Sequence, residues 1–151
     1  MVEIKSILFP VDFTEASSKV AGYAKTFTEK FGAKLYVLFV AEDLSKFAGF
    51  YVPHAALEKM ERELLEGAQK KMPSFIEKNL SGISDLETMV ELGDIAEKIC
   101  EVAKEKQVDL IIMGTHGRRG LEKALFGSVT EKVVKTAPCP VLTINPFPKK
   151  K

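Results

Sequence analysis

Five short apolar runs alternate with longer segments of helical spacing along this chain of 151 residues. The runs have the lengths of β-strands and lie at residues 4–11, 34–40, 85–91, 108–113 and 140–144. The helical patterns between them begin near residues 15, 55, 94 and 128. This alternation predicts a single α/β domain with a parallel sheet, right-handed crossovers and helices on both faces. We expect the domain to span residues 1–145, followed by a flexible basic tail at 146–151.

The polarity of two runs predicts where they lie in the sheet. Residues 34–40 are apolar on both faces, which is typical of a central parallel strand. Residues 85–91 alternate in polarity, which favours a half-exposed edge strand.

Local signals predict the ends of the helices. Thr14 is expected to be the N-cap of the first helix and Gly32 its stop signal. Asp94 and Glu97 resemble a capping box at the start of the third. Pro73 is expected to kink or divide the second helix. The buried face of that helix is predicted to contain Leu57, Met60, Leu64 and Ala68.

Composition excludes several classes of protein. A net charge of +1 gives no electrostatic case for a nucleic-acid or membrane partner. No apolar run approaches the ~20 residues that a membrane helix needs. The first apolar run is short and contains Pro10, so it does not resemble a secretory signal. Cys100 and Cys139 lack the spacing of metal ligands. We therefore expect a cytoplasmic protein.

A glycine-spaced segment follows the fourth strand and leads into the last helix. It has the form G-x2-G-x9-G-[ST], through Gly114, Gly117, Gly127 and Ser128. Glycines allow backbone N–H groups to approach an anion, and the first turn of a helix offers unpaired donors. The pattern predicts a phosphate site. The alternative is a surface loop in which Ser128 is an ordinary helix cap.

This segment, with three others, resembles the ATP-binding branch of the universal stress protein family. The other three are ILFPVD at residues 7–12, DLIIMG at 109–114 and PCPVL at 138–142. The resemblance implies an open, Rossmann-like five-stranded sheet of the adenine-nucleotide alpha-hydrolase type, with strand order 3-2-1-4-5. That order brings Asp12 and the glycine segment to one crevice, because strands one and four become neighbours.

The resemblance also implies which positions contact ATP. They are Pro10, Asp12, Val40, Met113, Gly114, Gly117, Gly127, Ser128, Val129 and Thr130. Asp12 would accept hydrogen bonds from the adenine amino group or the ribose, although an aspartate before a helix is favourable in any case. Val40 and Met113 would form apolar walls around the base, or they belong only to the core.

The phosphates are expected on the N–H groups of Gly117 and of residues 127–130, helped by the hydroxyls of Ser128 and Thr130. A valine at Gly127 would block phosphate approach and demand an unfavourable backbone angle. Three basic residues lie inside the glycine segment, and they either neutralise phosphate charge or face solvent: Arg118, Arg119 and Lys123.

The function expected from this resemblance is a nucleotide-dependent sensor or regulatory module. It would bind ATP, or AMP or ADP, with Mg²⁺ or Mn²⁺ held by the phosphates rather than by protein ligands. A homodimer would form through the last strand, at residues 141–144, and report to a protein partner of unknown identity. The alternatives are an enzyme that transfers adenylyl groups or slowly hydrolyses ATP, and an interaction protein that binds no nucleotide.

No catalytic constellation is evident in the sequence. There is no G-x4-G-K-[ST] loop. Neither His54 nor His116 has a recognisable partner for a triad, and His116 is expected to shape the loop. Residues 41–54 are the least regular segment and should lie at the rim of the crevice. They either form a lid or partner surface, or pack onto the next helix.

Overall fold

The computed structural model describes residues 1–48, 52–116 and 127–149. The strands are β1 (Ser6–Pro10), β2 (Lys34–Glu42), β3 (Leu86–Gly93), β4 (Leu110–Gly114) and β5 (Val141–Ile144). The helices are α1 (Glu15–Phe31), α2 (His54–Asn79), α3 (Ile95–Glu105) and α4 (Ser128–Thr136). A 3-10 turn at Ser45–Phe47 follows β2. Strand and helix therefore alternate as the sequence predicts.

The five strands form one parallel sheet in the order β3-β2-β1-β4-β5. This confirms the predicted order 3-2-1-4-5. In the centre of the sheet, Ile7 of β1 lies beside Leu35 of β2 on one side and Leu110 of β4 on the other. The chain moves outward from β1 in one direction first and then in the other, so the strand order reverses between β1 and β4. In open α/β sheets, that point is where ligands bind.

The core consists of two layers, one on each face of the sheet. Alternate residues of β1 point to opposite faces, so Ile7 and Phe9 pack in one layer and Leu8 in the other. The first layer includes buried residues of α1 and α2, such as Val20 and Met72, and the second those of α3 and α4. Helices cover both faces of the sheet, as predicted.

The predicted ends of α1 and the start of α3 are confirmed. Thr14 is the N-cap residue of α1, and Gly32 ends that helix in the left-handed conformation with φ 60°. The Thr14 side chain makes no cap hydrogen bond to the helix. At α3, the carboxylate of Asp94 accepts the Glu97 N–H over 3.0 Å. These ends were predictable because the signals for them are local in sequence.

Helix α2 departs from two expectations. It continues from His54 to Asn79 as one helix with Pro73 inside it, so of the two expected effects, a kink or a division, the division is ruled out. The adjacent Met72 and nearby Phe75 are buried against the sheet, and this packing offsets the hydrogen bond that proline removes.

The predicted buried face of α2 is wrong at two positions. Leu57 and Ala68 are buried, but Met60 is 48% exposed and Leu64 is 37% exposed. The helix instead turns Leu65 toward the core. Glu61, one turn earlier, accepts the Leu44 N–H over 2.8 Å. This bond attaches α2 to the residues after β2.

The first residues after the sheet are attached to the domain. Pro146 is buried, and the Phe147 N–H donates to Oδ1 of Asn145 over 2.9 Å. Lys19 Nζ lies 4.8 Å from the centre of the Phe147 ring. The predicted flexible tail therefore begins with residues that contact α1, and its last two lie outside the described residues.

Within the described ranges, no helix combines the length and apolar character needed to cross a bilayer.

Candidate functional site

A crevice of about 490 Å³ opens at the carboxyl ends of β1, β2 and β4. It lies where the strand order reverses, at the position expected for a ligand in this fold. Seven of the ten predicted contact positions line it: Pro10, Asp12, Val40, Met113, Gly114, Val129 and Thr130. Gly127 and Ser128 are at the start of α4, next to these residues in sequence. Gly117 lies outside the described residues, as do Arg118, Arg119 and Lys123.

The carboxylate of Asp12 is held by the turn that joins β1 to α1. Its Oδ1 atom accepts hydrogen bonds from the Thr14 N–H over 3.0 Å, the Ser17 hydroxyl over 2.7 Å and the Thr14 hydroxyl. The Asp12 N–H donates in turn to the Ser17 hydroxyl oxygen over 2.9 Å. Among the described residues, none donates to Oδ2. One oxygen of Asp12 thus organises the turn and the other is available to a ligand.

The first turn of α4 presents backbone N–H groups at the same crevice. Gly127 is the N-cap residue, and no side chain caps the helix within the described part of the chain. No described residue accepts a hydrogen bond from the N–H groups of Ser128, Val129 or Thr130. Groups in this position carry the positive end of the helix dipole and favour an anion.

Two expected phosphate donors have other partners. The Gly127 N–H donates to the carbonyl oxygen of Thr115 over 2.7 Å. The Thr130 hydroxyl donates to the carbonyl oxygen of Gly114 over 2.8 Å. Both bonds attach the start of α4 to the end of β4. The Gly127 N–H and the Thr130 hydroxyl therefore donate within the fold and not to a phosphate. Ser128 is exposed, and the described residues include no partner for its hydroxyl.

Gly114 and Gly127 differ in the space around them. A Cβ atom on Gly114 would lie 3.2 Å from the His116 carbonyl oxygen and 3.3 Å from Cγ2 of Val20. At Gly127 the contact it would make with the described residues is with the Thr115 carbonyl oxygen, at an ordinary 3.5 Å. Gly127 has φ −68° and ψ 162°, which any residue adopts. The expectation that a side chain at Gly127 demands an unfavourable backbone angle is therefore wrong.

Val40 and Met113 are both wall and core. They line the crevice, and each is less than a tenth exposed within the second core layer. The two alternatives for these residues are therefore compatible. Sequence reasoning missed the other apolar wall, which includes Ile95 and Ile99 of α3. Their helical spacing indicated burial but carried no information about which strand ends they cover.

The residues that follow β2 form one rim of the crevice. β2 continues to Glu42, and Leu44 then lines the crevice together with Leu64 of α2. The Ser45 N–H donates to Oδ1 of Asp43 over 2.8 Å, and this hydrogen bond lowers the pKa of that carboxyl. Residues 49–51 lie outside the described residues. The described part of the 41–54 segment is thus tied to α2 through the bond between Leu44 and Glu61.

The histidines and carboxylates form no metal centre in the described parts of the chain. His116 lines the crevice, and its Nδ1 lies 2.8 Å from the Thr115 hydroxyl. His54 pairs with Glu58 on the surface of α2 at 3.1 Å. No group of three His, Cys, Asp or Glu side chains is placed to hold a metal ion in these ranges.

Comparison with known proteins identifies the family. A family model described as the universal stress protein family matches residues 3–145. The chain is 39% identical over 145 residues to universal stress protein MJ0531 of Methanocaldococcus jannaschii, which covers 93% of this chain and 82% of that protein. The solved structure of MJ0577 from the same organism superposes with a TM-score of 0.81 at 28% identity, covering 99% of this chain and 100% of that one.

A more distant structure shares the fold. It is the universal stress protein from Archaeoglobus fulgidus in complex with dAMP. It superposes with a TM-score of 0.60 at 20% identity, covering 96% of this chain and 100% of that one.

Proposed function

Because this chain belongs to the universal stress protein family, we propose that its crevice binds an adenine nucleotide, with ATP as the first candidate. One observation carries the proposal. An oxygen of Asp12 without a described partner and the start of α4, which no described side chain caps, border a single crevice of about 490 Å³. A hydrogen-bond acceptor for a base or sugar and a donor set for phosphate are what a nucleotide requires.

In this proposal, Oδ2 of Asp12 accepts a hydrogen bond from the adenine amino group or from a ribose hydroxyl. Val40 and Met113 form the apolar walls around the base, with Ile95 and Ile99 of α3 extending the same surface. A mostly apolar crevice with a few fixed polar groups is the usual form of a cofactor site. Pro10 and Gly114 complete the floor at the strand ends.

The phosphates are proposed to lie on the N–H groups of Ser128, Val129 and Thr130, with the Ser128 hydroxyl as a further donor. Gly117 and the basic residues of the glycine segment remain proposed contacts. Mg²⁺ or Mn²⁺ would be held by phosphate oxygens, because the described residues offer no cluster of protein ligands. The N–H of Gly127 is bonded to Thr115 and is not a proposed phosphate donor. Gly127 would instead contribute by having no side chain that blocks the phosphates.

The proposed role is that of a nucleotide-dependent homodimeric sensor in the cytoplasm, where cells hold their free ATP. Residues Val141–Ile144 form an edge strand that pairs with β4 and is half buried within the chain. Its outer edge suits pairing with a second copy, because an exposed row of Val, Leu, Thr and Ile invites strand addition. Sedimentation equilibrium with and without ATP tests this part, and a monomer under both conditions would remove it.

Mass spectrometry of the freshly purified protein tests the nucleotide. We expect a co-purifying adenine nucleotide, and its identity will distinguish ATP from ADP and AMP. The dAMP complex of the A. fulgidus protein supports testing monophosphates beside ATP. No bound nucleotide and no saturable ATP binding would favour the interaction protein instead. Exchange of labelled pyrophosphate into ATP with candidate acceptors would indicate adenylyl transfer.

A further inference from the structure

Phe13 has an unusual backbone conformation for its residue type. Its φ is 63°, in the left-handed region. A bulky side chain is rarely found there, because the Cβ atom crowds the following carbonyl group. Such a conformation persists only when the surrounding structure holds it. The residue lies directly between Asp12 and the N-cap of α1, in the turn at the crevice.

The Phe13 ring is held between two other rings. It stacks on Phe39 of β2 with centroids 5.0 Å apart and planes 19° apart. It meets Phe75 of α2 edge-on, with centroids 5.7 Å apart and planes 73° apart. Both partners are buried in the first core layer. Aromatic pairs at these separations add to the free energy of burial, so the ring anchors the turn to the sheet and to α2.

The left-handed conformation of Phe13 occurs together with a specific bonding of the Asp12 carboxylate. The left-handed residue brings the Thr14 N–H back to Oδ1 of Asp12, two residues earlier, over 3.0 Å. Ser17 completes this arrangement on the same oxygen. With Oδ1 engaged in this way, Oδ2 is the oxygen that the turn leaves without a described partner.

We propose that Phe13 is a positioning residue for the nucleotide site, whose clamped ring maintains the turn that keeps Oδ2 of Asp12 available to the base or ribose. This inference rests on the proposed function, since the ligand of Oδ2 is the proposed nucleotide. The ring acts through Asp12 and contacts Phe39 and Phe75 rather than the ligand. Loss of the ring should therefore affect binding only while the Asp12 carboxylate is present.

A double-mutant cycle on the full chain tests this coupling. Calorimetric ATP titrations compare Phe13→Ala, Asp12→Asn and the double variant with the unmodified protein. We expect Phe13→Ala to weaken binding by about tenfold in the original background and by less than about twofold beside Asp12→Asn. The same loss in both backgrounds would overturn the inference. Phe13→Leu retains apolar volume without a flat ring and replaces the alanine variant if that one does not fold.

Phe27→Ala is the matched control. Phe27 also packs against the first core layer and pairs with another ring, that of Phe31 at 5.9 Å, but it lies inside α1 and outside the turn at Asp12. Its loss should leave ATP affinity unchanged. A loss equal to that of Phe13→Ala would show that any missing ring in this layer has the effect, which would also overturn the inference.

Amide exchange measured without nucleotide keeps the inference separate from the proposed function. In Phe13→Ala, the Thr14 amide should exchange at least about tenfold faster, while the Ile112 amide in β4 is unchanged. If the unmodified protein binds no ATP, the proposed function fails, and this measurement still decides whether Phe13 holds the turn. Unchanged Thr14 exchange would overturn the positioning role.

Discussion

The hydroxyl of Thr130 donates a hydrogen bond to the carbonyl oxygen of Gly114 over 2.8 Å, across 16 residues of chain. Thr130 is 4% exposed, and the bond is partly buried. It joins the first turn of α4 to the last residue of β4, which is also the first residue of the glycine segment. This bond therefore fixes the two ends of the segment relative to each other.

Replacing Thr130 by valine should destabilise the protein at this junction. The shape of the side chain is nearly unchanged, but the Gly114 carbonyl loses its donor, which costs about 1–3 kcal/mol for a buried group. Urea unfolding measures the difference. Thr136→Val is the control, because its hydroxyl bonds to the Lys132 carbonyl on the exposed surface of the same helix. Equal losses of unfolding free energy in the two variants would mean that the bond to Gly114 stabilises the protein no more than the exposed bond to Lys132 does.

The two glycines at the ends of the segment should respond differently to alanine. Gly114→Ala places a methyl group 3.2 Å from the His116 carbonyl oxygen and 3.3 Å from Val20. Such overpacking costs about 1–3 kcal/mol of unfolding free energy. Gly127→Ala meets ordinary contact distances and an ordinary backbone angle, so its stability should hold. Thermal and urea unfolding of both variants give the comparison, and a reversed order would contradict the packing at Gly114.

The cap of α3 should add an acid-sensitive contribution to stability. The Glu97 N–H donates to Asp94, and this bond chiefly lowers the pKa of the carboxyl; partial burial opposes the shift and Lys132 adds to it. A lowered folded-state pKa means that the ionised form stabilises the fold above the unfolded-state pKa. That stabilisation is lost as the pH falls through the folded-state pKa.

Asp94→Asn isolates this effect, because asparagine also caps helices but does not titrate. Urea unfolding from neutral pH down to about pH 3 should show a smaller loss of stability for the variant than for the unmodified protein. Asp94→Ala should be less stable at neutral pH, where the cap itself is missing. Identical pH dependence for the unmodified and asparagine chains would rule out this contribution.

Local signals predicted much of the fold. Gly32 and Asp94 act on their own helix ends, and Thr14 occupies the N-cap position of α1, so their positions in sequence were sufficient. The strand order came from the family resemblance, because periodicity within a strand carries no information about its neighbours. The exposed face of α2 was misjudged at Met60 and Leu64 for a related reason. The contact of Glu61 with Leu44 joins residues 17 apart, and periodicity within the helix carries no information about such a contact.

The candidate site was predictable at its strand ends and less so in its bonding. Asp12 follows β1 and Gly114 ends β4, and the carboxyl ends of these parallel strands meet at one edge. The partners of the Thr130 hydroxyl and the Gly127 N–H depend on how β4 and α4 approach each other, which spacing does not reveal. The left-handed turn at Phe13 had no sequence signal, because phenylalanine rarely adopts it.

Asp12→Asn changes one property of the crevice. The asparagine Oδ1 can still accept from Thr14 and Ser17, while an NH₂ group replaces Oδ2 and turns an acceptor into a donor. The turn should therefore persist while the proposed ligand bond is lost. Asp43→Asn is the matched control, since Asp43 forms the same kind of turn with the Ser45 N–H but does not line the crevice.

Calorimetric titration of ATP into the unmodified protein and these two variants decides whether this crevice is a nucleotide site. We predict saturable binding to the unmodified chain and an affinity lower by roughly tenfold to a hundredfold for Asp12→Asn, the range for losing one hydrogen bond to a charged group. Asp43→Asn should bind as the unmodified chain does. Equal ATP affinity in all three proteins, or no saturable binding to any, would contradict a nucleotide site at Asp12.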